Sequence, residues 1–319
     1  MKQSIALITG TTSGVGYATA NMLAITGYRQ VIVTGRSLAG AQEAAARLAA
    51  ETKTQVFTPL ELDLNAPTSV QSALAEMVRL GLPIDFLLLN AGWIGGKERV
   101  LTAAGIETTF APLIGHHQLT IGLLRANLLS PNARIVIAGS EVARGDIPLF
   151  NYTDVAVLAA RQHQGDRSAA VEALFRNGPN LKYEPNRAHS DVKLIVAWWA
   201  AALARRLPSG MVVYAVSPGS TPDTKGVRNL GRAAKWLLVP LVRLIPGMSH
   251  SPETAARRYL QALEFGTDVS GQFFASPPKK FTGPIEAMRH PHLHDRVNQE
   301  AAWQAIVKVS GSDFSYRHT

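Results

Sequence analysis

A glycine-rich run near the amino terminus is the first group of residues whose spacing indicates a chemistry. The run, Thr9-Gly10-Thr11-Thr12-Ser13-Gly14-Val15-Gly16, follows an apolar, strand-like stretch (5–9) and leads into a stretch with helical spacing (15–25). Glycines allow a tight turn and the close approach of a pyrophosphate, and the amino end of a helix offers amide donors and the positive end of its dipole. This context favours a dinucleotide site over an ordinary glycine-rich turn. The expected contacts are Gly10, Thr12, Ser13, Gly14, Val15 and Gly16.

The end of the second strand-like run (31–34) indicates which dinucleotide binds. A fold that prefers NAD places an acid at this point, about 20 residues beyond the glycines, to hold the ribose 2′-hydroxyl. This sequence instead reads Thr34-Gly35-Arg36-Ser37 and has no carboxylate there. Arg36 offers a planar cation to a 2′-phosphate, and Ser37 offers a further hydrogen-bond donor. NADP(H) is therefore predicted rather than NAD(H), unless Arg36 is only a solvated surface arginine.

Short apolar strands alternate with helices along the first 140 residues, and these elements must position the nucleotide site. Further strands are predicted at 56–64, 86–89 and 135–138, and helices at 38–50, 69–80 and 113–129. Such alternation predicts βαβ units and a parallel sheet covered on both faces. The expected fold is therefore a Rossmann-type, doubly wound α/β sheet.

The second part of the chain is less regular. Residues 141–188 are rich in Gly, Pro, Asn and mixed charge. We expect one helix there (168–176) and place this insertion at the mouth of a pocket, outside the core. The later pattern predicts helices at 191–207 and 252–265 and strands at 211–217 and 270–274. A lid is predicted over 225–250, which contains an amphipathic stretch (227–245), and the carboxyl-terminal segment is polar. No boundary divides the chain, so residues 1–319 are predicted to form one domain with a carboxyl-terminal lid.

Composition narrows the classes of function. The 319 residues include no cysteine, which excludes disulfides, zinc ribbons, iron–sulfur clusters and thiol catalysis. The net charge is +9 without a basic run, so no nucleic-acid partner is expected. The sequence has no signal-peptide pattern and no apolar stretch of about 18–20 residues, which indicates a cytoplasmic protein without an integral membrane segment.

The histidine pairs of the sequence do not predict a metal site. His116-His117 and the alternate histidines His290, His292 and His294 lack a second cluster of ligands. They are interpreted as polar surface, and no metal is expected. The adjacent Trp198-Trp199 are interpreted as core or as a subunit contact.

Taken together, these motifs resemble the short-chain dehydrogenase/reductase family, whose own glycine spacing is Thr9-Gly10-x-x-x-Gly14-x-Gly16. Segments 188–207 and 251–274 are most similar to retinol-dehydrogenase-like and protochlorophyllide-oxidoreductase-like members. The resemblance implies hydride transfer between a nicotinamide cofactor and a carbonyl or alcohol of a fairly apolar small molecule. It also implies further cofactor contacts: Asp63 and Leu64 on the adenine side, Asn90, Ala91 and Gly92 beside the fourth strand, and Pro218, Gly219 and either Thr221 or Thr224 on the nicotinamide side.

The catalytic residues implied by the resemblance depart from the family pattern. Ser140 ends the fifth strand, where the family's substrate-orienting serine lies, and Lys193 matches the lysine that holds the nicotinamide ribose. The family's Tyr-x-x-x-Lys motif here reads His189-Ser190-Asp191-Val192-Lys193, so histidine replaces the tyrosine. The resemblance therefore gives the proton-exchanging position to His189.

Two other features of the sequence bear on this departure. Neither Tyr152 nor Tyr183 is followed by a lysine four residues on, so neither restores the motif. The family's asparagine on the preceding helix is also missing, because Pro112 or Leu113 occupies its place. Cofactor binding is thus expected from the motifs, whereas the proton path differs from that of the family.

An imidazole at position 189 can still exchange a proton. The charge on Lys193 disfavours the imidazolium, so we expect a neutral His189 and a pH crossover between carbonyl reduction and alcohol oxidation at or below about 6.5. Neutral imidazole can donate an N–H to a carbonyl or act as a base. The alternatives are that His189 is a bystander, that the protein is a non-redox isomerase, dehydratase or cyclase, or that it binds nucleotide at a degenerate site. A homo-oligomer is also an open alternative.

Overall fold

The structure is a computed structural model, and it describes residues 4–92, 95–176, 178, 181–221, 247 and 249–314. Most of the predicted lid, residues 225–250, lies outside the described residues, and so does Thr224. The strands are β1 (Ile5–Ile8), β2 (Gln30–Gly35), β3 (Phe57–Glu61), β4 (Ile84–Leu89), β5 (Leu129–Ala138), β6 (Val212–Val216), β7 (Phe273–Ala275) and β8 (Glu286–Ala287).

These strands form one sheet in the order β3-β2-β1-β4-β5-β6-β7-β8. All neighbours from β3 to β7 pair in parallel, and β8 pairs antiparallel to β7. The order changes direction between β1 and β4, and ligands of such sheets bind outside the carboxyl ends of the strands at this point. The predicted Rossmann-type, doubly wound sheet is confirmed.

Helices cover both faces of the sheet. They are α1 (Gly14–Ile25), α2 (Leu38–Thr52), α3 (Pro67–Leu80), α4 (Ala111–Arg125), α5 (Val155–Gln162), α6 (Arg167–Arg176), α7 (Pro185–Ala204), α8 (Pro252–Gln261) and α9 (Arg296–Ser310). One apolar layer joins the sheet to α1, α2 and α8, and a larger one joins it to α3, α4, α7 and α9. All residues of β1 and β6 are buried, as expected for strands covered on both faces.

The insertion contributes to the core, so the expectation that residues 141–188 lie outside it is wrong. It contains a second helix, α5, and the apolar residues of α5 and α6 are buried, among them Val155, Leu158, Val171 and Phe175. The carboxyl-terminal segment forms α9, which packs against α6 and α7 and buries Trp303. The helix predicted at 168–176 is present as α6, whereas α5 and α9 were missed because their apolar faces are narrow and are completed only by packing against neighbouring helices.

Several predicted boundaries shift. Helix α7 begins at Pro185 rather than at 191, since proline is well suited to the first turn of a helix. The helix predicted at 113–129 ends at Arg125, the helix predicted at 252–265 ends at Gln261, and the strand predicted at 56–64 is confined to Phe57–Glu61. The early start of α7 places His189 and Lys193 one turn apart on a continuous helix.

Candidate active site

The glycine turn between β1 and α1 is held by Thr34 at the end of β2. Gly10 N donates to Thr34 Oγ1 (3.0 Å), and Thr11 N donates to Thr34 O (3.1 Å). Gly10 and Gly14 have φ angles of +73° and +65°, in the left-handed region that favours glycine. Ser13 is the N-cap residue of α1, and its side chain makes no capping hydrogen bond within the described chain. The first amides of α1 are therefore open to an anion.

Asn90 ties this turn to the end of β4. Its Nδ2 donates to Thr9 O (3.1 Å) and to Gly10 O (3.4 Å). Gly16 must lack a side chain here, because a Cβ would lie 2.4 Å from Gly10 O and 2.6 Å from Asn90 Nδ2. A Cβ on Gly92, by contrast, would meet no described atom within 4 Å. The predicted motif at 90–92 thus lies against the glycine turn, with open space at Gly92.

A cavity of about 480 Å³ lies beyond the end of β2. Ser37 Oγ accepts from Gly40 N (3.2 Å) as the N-cap of α2, and its hydroxyl hydrogen is still available to a ligand. Arg47, which the sequence analysis missed, lies over the Tyr17 ring at 4.6 Å. The cavity brings together four predicted residues, Thr12, Arg36, Ser37 and Asp63, and its other lining residues are Gly40, Glu43, Ala44 and Arg47. The side chain of Leu64, predicted alongside Asp63, is buried in the core.

The hydroxyl of Thr9 joins β1, β4 and α4 at the centre of the sheet edge. Thr9 Oγ1 accepts hydrogen bonds from Asn90 N (2.8 Å) and Ala91 N (2.9 Å), and it lies 2.9 Å from His116 Nε2. Both accepting positions of the hydroxyl are then used, and its hydrogen has two acceptors within reach, of which His116 Nε2 is the nearer. The other acceptor, Leu88 O, is 3.4 Å away.

His116 and His117 are both buried, so their interpretation as polar surface is wrong. Burial, with a smaller contribution from the charge on Lys193, lowers the pKa of His116 to about 3. On the other side of α4, Trp199 Nε1 donates to His117 Nδ1 (3.1 Å), and His117 Nε2 donates to Ser312 O (2.7 Å). The core and α9 cover α4 from both sides, which no local pattern of the sequence indicates.

Ser140 and the ammonium group of Lys193 both lie at the carboxyl end of β5. Ser140 is half-buried and precedes a short 3-10 turn, Glu141–Arg144, without capping it through its side chain. Lys193 reaches from α7 and donates from Nζ to Ala138 O, the last residue of β5, at 2.8 Å. Burial lowers the pKa of Lys193 to about 8. An ammonium group is thus fixed two residues from Ser140.

His189 lies one turn before Lys193 and is 8% exposed. The ring of Phe150, from the insertion, packs edge-on against it with a centroid distance of 6.3 Å. Burial lowers the pKa of His189 to about 3, and the charge on Lys193 makes a smaller contribution in the same direction. The Nδ1 atom is buried and has no hydrogen-bond partner in the described chain. His189 is therefore a neutral imidazole at pH 7, with one open nitrogen inside the protein.

The insertion is fixed to α7 by Asp191. Asp191 Oδ1 accepts from Thr153 N (2.6 Å) and Oδ2 accepts from Thr153 Oγ1 (2.9 Å). Burial raises the pKa of Asp191 to about 6.

Tyr152 and Tyr183, the two tyrosines considered above as replacements for the family's tyrosine, make contacts elsewhere. Tyr152 stacks on His292 with a centroid distance of 4.9 Å, and the Tyr183 hydroxyl donates to Gly96 O at 3.3 Å. Burial raises the pKa of both phenols, which makes them weaker acids.

A buried ion pair supports the turn after β6. Glu141 and Arg258 are joined by a 3.1 Å contact, and Glu141 also accepts from Ser217 Oγ. Gly219 N donates to Ser217 Oγ (3.1 Å), and His250 Nε2 donates to Pro218 O (2.6 Å). The predicted residues Pro218 and Gly219 are thus held at the same sheet edge as Ser140, and Thr221 follows this turn. The sequence analysis missed this ion pair, whose partners are 117 residues apart.

The described residues hold neither a cluster of metal ligands nor a membrane-spanning helix. They contain no group of three or more His, Cys, Asp or Glu side chains that could hold a metal ion. No helix among them is both long and apolar enough to cross a membrane.

Comparison with known proteins identifies the family. A model of the family described as short chain dehydrogenase matches residues 4–152. A chloroplastic protochlorophyllide reductase of Cucumis sativus is 37% identical over 325 residues, which cover 98% of this chain and 79% of the relative. A WW domain-containing oxidoreductase of Drosophila melanogaster is 29% identical over 84% of this chain, but the match spans only 61% of that protein.

A solved structure of a variant actinorhodin polyketide ketoreductase with NADPH has the same fold, with a TM-score of 0.59 and 20% identity. The match covers 85% of this chain and 94% of the ketoreductase. The sheet order, the glycine turn and the sequence relatives agree. The chain belongs to the short-chain dehydrogenase/reductase family of oxidoreductases.

Proposed function

We propose that the protein is an NADP(H)-dependent oxidoreductase that transfers hydride between nicotinamide and a carbonyl or alcohol of a fairly apolar small molecule. The observation that carries the proposal is the convergence of two groups at one sheet edge. The glycine turn, locked by Asn90, lies at the ends of β1 and β4, and Ser140 and Lys193 lie at the end of β5. The reductase relatives support the same reaction class.

The preference for NADP(H) rests on the cavity beyond β2. Arg36 and Arg47 both line it, and the Ser37 hydroxyl faces it as a donor. A 2′-phosphate carries about two negative charges at pH 7, and guanidinium groups bind phosphate through paired hydrogen bonds. The donors present therefore suit a 2′-phosphate better than a free hydroxyl.

Each residue of the site has a distinct proposed role. The first amides of α1 bind the pyrophosphate, Lys193 holds the nicotinamide ribose, and Ser140 orients the substrate oxygen. His189 exchanges the proton with that oxygen, and the ring of Phe150 beside it favours an apolar substrate. When bound, the nicotinamide supplies or accepts the hydride.

A second candidate function follows from the replacement of the family's catalytic tyrosine by His189. A neutral, buried His189 is also a competent base for an isomerase, dehydratase or cyclase, which would convert its substrate without net change of the cofactor. A nucleotide-binding protein without turnover is the remaining alternative. Consumption of NADPH on addition of a carbonyl substrate separates the first proposal from both others.

Cofactor binding tests the proposed preference directly. Titration should show tighter binding of NADPH than of NADH, by about tenfold or more, since one hydrogen bond to a charged group contributes ~1.5–3 kcal/mol. Arg36→Ala should narrow the difference, whereas Arg161→Ala, which removes an exposed arginine of α5, should leave it unchanged. Equal affinities for the two cofactors in the unmodified protein would refute the assignment of the 2′-phosphate contact to Arg36.

We also propose a cytoplasmic location for this oxidoreductase.

A further inference from the structure

A second cavity, of about 380 Å³, lies at the edge of the sheet opposite to the candidate active site. It is bounded by the end of α7, the beginning of α9 and the turn that leads into β7. The candidate active site follows the carboxyl ends of the strands, whereas this cavity lies at the amino ends of β6 and β7. Small-molecule sites have volumes of roughly 300–1,000 Å³, so the cavity is large enough for a small organic ligand.

Small residues form the floor of the cavity. Ala201 and Ala204 belong to the last turn of α7, and Gly271 lies against them with a φ angle of +85°. A Cβ on Gly271 would be 2.9 Å from Ala204 Cβ and 3.2 Å from Ala201 Cα. Gly271 N donates to Val213 O (2.7 Å), which fixes the turn to β6. Glycine is required for this close packing, and the floor it forms with the two alanines carries no polar side chain.

Hydrogen-bond donors lie along the walls of the cavity. Arg205 is held in place by two contacts, because its Nη1 donates to Ala201 O (3.0 Å) and to Gln299 Oε1 (2.7 Å). Ser270 Oγ accepts from a backbone N–H of β6 (3.1 Å), so its hydroxyl hydrogen is still available. The side-chain amide of Gln272 makes no hydrogen bond with a described residue and offers two N–H groups.

The cavity carries an excess of positive charge. Arg205 lines it from the end of α7, and Arg296 lines it from the start of α9. Burial lowers the pKa of Arg205, and the charge of Arg296 lowers it further. Glu300 lies 3.8 Å from Arg205 but 2.5 Å from Arg206, so one carboxylate serves two arginines. Asp295, next to Arg296, pairs with an arginine of α6 (3.1 Å). Among the described residues, none that lines the cavity is a carboxylate.

We propose that this cavity is a second ligand site, which binds a small organic anion through a phosphate or carboxylate group placed between Arg205 and Arg296. Both kinds of group present paired oxygens to a planar guanidinium, which donates two parallel N–H bonds. The Ser270 hydroxyl and the Gln272 amide donate to the remaining oxygens, and the rest of the ligand lies on the small residues of the floor. The bound anion removes the repulsion between the two arginines and connects the end of α7 to the start of α9.

Thermal unfolding with inorganic phosphate or succinate tests the site, with potassium chloride at equal ionic strength as the reference for screening. Two charge-assisted hydrogen bonds correspond to a Kd of about 1 mM. A ligand of the folded state at about 20 mM should then raise the Tm by about 3 °C. A rise with phosphate alone identifies a phosphorylated ligand, and a rise with succinate alone identifies a carboxylate. No rise with either anion would overturn the proposal.

Arg296→Gln separates a ligand site from an arginine with only a structural role. Without added anion its Tm should equal or exceed that of the unmodified protein, because a repulsion is lost, and the rise with phosphate or succinate should disappear. Arg161→Gln, at an exposed arginine of α5, is the matched control and should keep the rise. Arg36→Ala should also keep it, because that residue belongs to the cavity beyond β2. A rise that survives in Arg296→Gln would contradict the assignment.

Nuclear magnetic resonance locates the bound anion. The backbone amide signals of Ser270, Gly271 and Gln272 should shift during a phosphate or succinate titration, with the Kd that the Tm series gives. Shifts confined to Gly10 and Gly14 would place the anion at the glycine turn and overturn the second site. Neither measurement requires NADPH or turnover, so a failure of the proposed oxidoreductase function leaves this test unaffected.

Discussion

Arg258→Met should destabilise the protein strongly, because it leaves Glu141 charged and unpaired inside the fold. The side chain of Glu141 is 3% exposed and that of Arg258 is 5% exposed. Arg258 Nη1 donates to Glu141 Oε1 (3.1 Å) and Ser217 O (3.2 Å), and Nη2 donates to Ser276 Oγ (2.8 Å) and Gly283 O (2.9 Å). Removing one partner of a buried pair costs about 3–5 kcal/mol. At roughly 2 °C per kcal/mol for a chain of this size, the Tm should fall by about 6–10 °C.

Denaturation by urea and heat measures this loss, and the chain offers a matched control. Arg257, the preceding residue of α8, is exposed, so Arg257→Met should change the unfolding free energy by no more than about 0.5 kcal/mol. Combining Glu141→Leu with Arg258→Met should cost less than Arg258→Met alone, because no unpaired charge remains. NADPH binding should also weaken in Arg258→Met, since the pair supports the turn at Pro218 and Gly219. An Arg258→Met protein as stable as Arg257→Met would refute the reasoning.

Two further predictions concern the glycine motif and the insertion. Gly92→Ala should leave the Tm unchanged, because the added Cβ meets no described atom within 4 Å. It should weaken NADPH binding, because the cofactor is proposed to fill that space. An unchanged NADPH affinity in a titration would contradict the assignment of Gly92 to the cofactor site. Asp191, whose pKa burial raises to about 6 from 3.8, binds its proton more tightly in the folded state, so its contribution to stability should be lost as the pH rises from about 4 to 6. Urea denaturation should show this slope, on the order of 1–3 kcal/mol, in the unmodified protein but not in Asp191→Asn; equal slopes would contradict the prediction.

The parts of the site that the sequence predicted are local. The glycine turn, the residues at the end of β2 and the motif at 90–92 each depend on a few adjacent residues that follow a strand, and a parallel sheet brings strand ends to one edge. For this reason Gly10, Arg36, Asn90 and Ser140 could be located before the structure. The position of His189 depended on the family motif, and the structure supplied its helix.

The parts that were missed are contacts between distant segments. Thr9 and His116 are 107 residues apart, Glu141 and Arg258 are 117 apart, and Thr153 and Asp191 are 38 apart. No periodic pattern signals such pairs, because tertiary packing brings them together. Helix α9 was read as polar turns for a related reason: its apolar residues form one narrow face, which is recognisable only beside α6 and α7.

Transfer of deuterium tests the central claim most directly. NADPH that carries deuterium on the transferable position of its nicotinamide ring is incubated with the protein and a panel of apolar carbonyl compounds, and the products are analysed by mass spectrometry. The account predicts an alcohol with one deuterium on the former carbonyl carbon for each NADPH oxidised, and NADPH should be the better donor than NADH. A converted substrate without deuterium, or with NADPH left unchanged, would contradict it and favour the non-redox alternative.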